Sequence, residues 1–134
     1  MVDWPRVWNV DRSPDRLRQA ERDLQAAENS AAASYHEWAA FGAQQSAEKA
    51  VKALVASLHG AERGHSITGL LEQLRSSIEV PEAVLEAARD LDQVYVTARY
   101  PNGFASGAPA DYFGQKTSER LIGHARTVLE FCRG

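Results

Sequence analysis

Apolar positions along this chain recur at spacings of three and four, and polar residues fill the positions between. Leu17, Ala20, Leu24, Ala27 and Ala31 form a first stripe. Ser13 stands ahead of it as a cap, Pro14 fits a first turn, and Asp15 complements the helix dipole. A second helix is expected from Tyr35 to Leu58, with Trp38, Phe41, Ala47, Val51, Leu54 and Leu58 on its apolar side and Gly60 as its stop. A third, shorter one runs from Ser66 to Ser76 with Ile67, Leu70, Leu71 and Leu74 inward; Gly69 weakens it. Pro81 opens a fourth, striped by Val84, Leu85, Ala88, Leu91, Val94, Tyr95 and Ala98. Pro101 ends it, because the residue before a proline is pushed out of helical geometry. The stretch PNGFASGAPADYFG (101–114) makes up nearly all of a long loop, 100–114, carrying Phe104, Tyr112 and Phe113. A last helix spans Gln115 to Cys132, with Leu121, Ile122, Ala125, Val128, Leu129 and Cys132 inward. No alternating pattern of the strand type occurs. The expectation is all-α: an antiparallel bundle of about five helices over residues 13–134, preceded by an arm, 1–12, that holds Trp4 and Trp8.

Composition narrows the partners. The 134 residues suit one domain, and 44% hydrophobic with 25% charged residues argues for a packed core. A net charge of −3 supplies no overall basic field for DNA or a membrane surface. Any RNA contact therefore needs a local basic patch. Cys132 is the only cysteine, so an internal disulfide cannot form. No segment approaches the ~20 apolar residues that span a bilayer. The start MVDWPRVWNV lacks the features of a signal peptide, and a cytoplasmic location is expected.

The polar positions on the second helix raise the chemical question. In FGAQQSAEKAVKAL, residues 41–54, Gln45 and Lys49 lie four apart on one face, with Glu48 and Lys52 beside them. Such a set can form a buried network between helices, line a groove for a ligand or partner, or remain a solvated face. On the fourth helix, Asp92, Tyr95 and Arg99 share a side, and Tyr100 follows. Arg99 could hold a phosphate by two parallel hydrogen bonds and Tyr100 could stack on a base. The plain alternative is an Asp92–Arg99 clamp on the loop. His65 precedes the third helix as an acid–base candidate or a simple cap. His36, His59 and His124 lack metal-ligand spacing, so neither a metal nor a cofactor is expected.

Four segments in order resemble the HEPN domain family: ERDLQAAENS (21–30), FGAQQSAEKAVKAL (41–54), GHSITGLL (64–71) and LDQVYVTARYPNG (91–103). The resemblance implies a helical bundle that usually forms a homodimer. It also implies a separate nucleotidyltransferase as partner, in some pairs as toxin and antitoxin, and nucleotide or RNA binding. The face made by Gln45, Glu48, Lys49, Arg99 and Tyr100 would carry that contact. Several HEPN groups are metal-independent RNases with an Arg, four to six residues, then a His. Here Arg99 is followed by no such His, and Arg120 precedes His124 by one residue too few. Arg99 and His65 are then the substitutes for a degenerate RNase site. A structural dimerisation module without ligand is the remaining alternative.

Overall fold

A computed structural model describes residues 12–59, 64, 66–99 and 106–134, with the backbone alone at 59 and 95–99. Within these residues the chain is all-α: α1 (Ser13–Ala32), α2 (His36–His59), α3 (Ile67–Leu74), α4 (Glu82–Arg99) and α5 (Gln115–Arg133). The expected end at Gly60 and the arm up to residue 11 lie outside the described residues.

α2 is the axis of the bundle, and the other four helices pack against it. Ala39, Ala40, Ala43, Ala47, Ala50, Val51, Ala53 and Val55 are all buried. A helix surrounded by neighbours is apolar on most sides, which is why its amphipathic pattern is blurred. α1 packs antiparallel to it: Ser13 lies opposite Ala53, Ala20 opposite Ser46, and Ala27 opposite Gly42. The approach is close at one point, since a Cβ on Gly42 would sit 3.2 Å from Ala27 Cβ. α5 runs beside α2 in the same direction; His36 meets Ser118 at one end, and Leu54 and Cys132 border one groove at the other. α5 is antiparallel to α1, with Glu21 on Arg133 and Glu28 on Arg126. The two ends of this bundle, the start of α1 and the close of α5, therefore lie side by side.

The inward stripes hold. Ala20, Leu24 and Ala27 of α1, Ile67, Leu70, Leu71 and Leu74 of α3, and Leu121, Ile122, Ala125, Val128 and Leu129 of α5 are buried. Each of the larger ones stabilises the fold by roughly 1.5–3 kcal/mol. Three details differ from the sequence reading. Ser13 is not a cap; it is the first residue of α1, and its hydroxyl donates to the Ala53 carbonyl at 2.9 Å. Leu58 is exposed because α1 begins opposite Ala53, so the last turn of α2 overruns it. Trp38 is 62% exposed; it meets the edge of Phe41, ring centre to ring centre 6.4 Å.

Of the long loop, residues 106–114 are described. A short 3-10 turn, Pro109–Asp111, is tied by the Asp111 carboxylate, which accepts from the Ala108 amide at 2.8 Å. Gly107 has φ +82, and a Cβ there would lie 2.9 Å from that carboxylate, so glycine is required. Tyr112 donates its hydroxyl proton to the Ser106 carbonyl, and Phe113 is buried. This half of the loop is pinned by its own aromatics.

A candidate anion groove between α1 and α2

The polar set on α2 is a ladder. Gln45 donates to Gln44 at 2.7 Å, and Gln44 donates to Glu48 at 3.1 Å. Lys52 reaches the other oxygen of Glu48 at 3.1 Å. Gln44 is fully buried and Glu48 is 5% exposed. Two buried polar side chains are thus satisfied within one helix. The Lys49 ammonium crosses to Asp23 of α1 at 2.5 Å, and buried Ser46 donates to the Ala20 carbonyl at 2.6 Å. The polar residues that blurred the amphipathic pattern therefore tie α2 to itself and to α1.

The outer rungs of this ladder open on a groove. Lys49 and Lys52 line it together with Arg12, Asp15, Arg16 and Gln19 of the facing segment, and its volume is about 500 Å³. Four cationic side chains line it with the Asp15 carboxylate, which pairs with Arg18 and lies 3.8 Å from Arg12; Lys49 and Lys52 are paired with Asp23 and Glu48. A second groove, between α1 and α5, has about 440 Å³. Its lining carries Arg18, Arg22 and Arg133 beside Glu21 and Glu28; Arg133 pairs with Glu21 at 2.9 Å, and Arg126 with Glu28 at 2.6 Å nearby. The α1/α2 groove is the one that the lysines of the α2 ladder line.

Of the second polar set, on α4, the side chain of Asp92 alone is described. Asp92 caps α3. Its carboxylate accepts from the Ile67 amide at 2.8 Å, the Thr68 amide at 3.0 Å and the Ser66 hydroxyl at 3.2 Å. Tyr95 and Arg99 have no described side chain, and Tyr100 and His65 lie outside the described residues. Sequence reasoning missed Gln44 as the inner node of the ladder, and Asp23, Arg12, Arg16 and Gln19 as its neighbours across the helix pair. The spacing of Lys49 from Asp23, 26 residues, carries no local signal.

One further cluster joins α4 and α5. One oxygen of Asp90 accepts from Arg120 Nε at 2.8 Å and lies 2.9 Å from His124 Nε2. His36 Nδ1 lies 2.8 Å from Ser118 Oγ, but that hydroxyl gives its proton to the Gln115 carbonyl at 3.0 Å. The histidine therefore donates, and the pair is no activated serine nucleophile. No group of three metal-binding side chains occurs among the described residues. None of their helices is long and apolar enough to cross a membrane.

The HEPN domain matches residues 13–134, and the chain belongs to that family. Its structure is similar to that of TT1696 from Thermus thermophilus, at 35% identity and a TM-score of 0.89, covering 92% of this chain and 98% of that one. It is similar to ST0689, an archaeal HEPN homologue, at 37% identity and a TM-score of 0.80, covering 93% and 98%. A HEPN domain protein from Thermotoga maritima matches at 32% identity and a TM-score of 0.72, covering 89% and 94%. No curated protein matches the chain.

Proposed function

We propose that this chain is a HEPN-type binding module that holds the phosphate of a nucleotide or RNA in the α1/α2 groove, as the partner of a separate nucleotidyltransferase. The observation that carries this is the groove itself, in which Arg12, Arg16, Lys49 and Lys52 come together in about 500 Å³. The volume falls within the ~300–1,000 Å³ of small-ligand sites. Arginine offers a phosphate two parallel hydrogen bonds, and lysine adds point charge. Glu48 and Asp23 hold the two lysines in place. Nucleoside mono- and triphosphates and a short single-stranded RNA are titrated calorimetrically against the wild type, Arg16→Ala and Lys49→Ala. Binding by the wild type that weakens about tenfold or more in either variant, and falls with added salt, supports the reading. No heat with any of them leaves a structural dimerisation module.

A second reading rests on the Asp90 cluster. Asp90 holds Arg120 by Nε, leaving its terminal nitrogens for a phosphate, and engages His124 at Nε2, leaving Nδ1 as a base. That is the equipment of a metal-independent RNase in which the 2′-hydroxyl attacks its own phosphate. Cleavage of total RNA in chelator, beside His124→Ala, Arg120→Ala and Arg99→Ala, tests it. Cleavage lost with His124 and Arg120 but retained with Arg99→Ala would place the site on α5; no cleavage by the wild type would remove the reading.

A further inference from the structure

The closing end of the bundle carries an apolar groove that the proposed function does not use. It lies between the start of α1, the last turns of α2 and the end of α5, with Pro14, Leu17, Ala53, Leu54, Ser57 and Cys132 in its walls and a volume of about 260 Å³. Leu17, Leu54 and Cys132 are only partly buried there. Its rim hydroxyls are already engaged: Ser13 donates to the Ala53 carbonyl at 2.9 Å and Ser57 to the Leu54 carbonyl at 2.8 Å. A small polar ligand would find no free hydroxyl among the described residues to orient it. The volume is also below the ~300–1,000 Å³ of small-molecule pockets, but it suits one large apolar side chain.

The occupant is identified by position. The groove begins at Ser13 and Pro14, where residues 1–11 join the helical domain. That segment, MVDWPRVWNVD, carries Trp4, Val7, Trp8 and Val10. Trp8 precedes Ser13 by five residues, a reach of up to roughly 17 Å at ~3.3–3.6 Å per residue. A short tether raises the local concentration to the millimolar range, so a contact too weak to hold a separate peptide is populated within one chain. Burying an indole removes ~150–250 Å² of surface from water. We propose that the groove formed by Leu17, Leu54 and Cys132 is the seat of the chain's own segment 1–11, with a tryptophan, Trp8 by reach, filling it.

The sole cysteine is a built-in reporter of that seat. The rate of Cys132 modification by an aromatic disulfide reagent is measured in the full chain and in Trp4→Ser, Trp8→Ser and the double variant, with circular dichroism confirming unchanged helicity. The rate is expected to rise about tenfold in Trp8→Ser, a factor that corresponds to ~1.4 kcal/mol of lost contact, and to be independent of protein concentration. An unchanged rate in the double variant overturns the proposal. So does a wild-type rate that falls as chain concentration rises, which assigns the groove to a second copy. Should the double variant unfold, the emission of Trp8 is read in a Trp4→Phe/Trp38→Phe chain. Blue-shifted emission shielded from iodide, and lost in Leu54→Asp, supports the seat; emission as exposed as that of free tryptophan overturns it.

Discussion

At the scale of single residues, buried polar atoms decide the behaviour of α2. Glu48 accepts from Gln44 and from Lys52 in a site only 5% exposed. Glu48→Ala strands an amide and an ammonium, and is expected to cost about 1–3 kcal/mol in urea unfolding; Glu48→Gln, which keeps an acceptor, should cost less. Cys132 gives the pH prediction. Burial pushes its thiol from an ordinary 9.0 up to about 12. The folded state disfavours the thiolate, so this contribution to stability is complete below pH 9 and is lost as pH rises toward 12. Wild type should lose more stability between pH 8 and 10.5 than Cys132→Ala, by parallel denaturant titrations. The sequence displayed Gln45, Glu48, Lys49 and Lys52 as a set of polar positions. It left open whether they form a network or a groove, because one-dimensional spacing carries no burial. The structure shows a buried network whose outer members line a groove.

At the scale of elements, periodicity was a good guide wherever a helix has one neighbouring side and a poor one at ends and overruns. The stripes of α1, α3 and α5 read correctly because each presents one face to α2. Trp38 and Leu58 fit the same periodicity, but Trp38 lies on a side of α2 that α1 and α5 leave exposed, and Leu58 lies past the start of α1; only the facing and register of the helices reveal that. Asp92 shows the same limit: its spacing along α4 carries no sign that its carboxylate holds the backbone of α3. Asp92→Ala is expected to cost about 1–2 kcal/mol, the usual loss of a helix cap. It should speed hydrogen exchange at Ile67 and Thr68 most; Asp92→Asn should recover part of the loss. The α1/α2 contact gives a second expectation. Gly42→Leu would drive side-chain atoms into Ala27, and overpacking of this kind destabilises by about 1–3 kcal/mol, read as a lower unfolding midpoint with helicity intact.

At the scale of the whole molecule, the fold was legible in the chain's order of helices and its four family-like segments, and the site was legible only in part. Lys49 and Lys52 were visible, but their groove is completed by Arg12 and Arg16 on another helix end. The Asp90–Arg120–His124 cluster joins residues 30 and 34 positions apart. Sequence separation of this size records nothing of which faces meet. The charge picture changes with scale as well: the chain is acidic overall, at −3, yet its α1/α2 groove gathers four cationic side chains. Binding there should therefore be salt-sensitive although the protein as a whole repels polyanions.

The adjacency of the α1 start and the α5 end has a consequence for how the domain can be wired. Ser13 and Cys132 border the same groove, so a short glycine-rich bridge can join the helical domain's two ends without crossing the bundle. New ends can then be opened in the turn at residues 76–79, which is mostly exposed and precedes α4. A circular permutant of residues 13–134 built this way should fold to the same bundle. For the same reason, any protein fused at either end of the bundle emerges from one pole, leaving the opposite pole, where Tyr35 and Trp38 stand exposed, clear for contact.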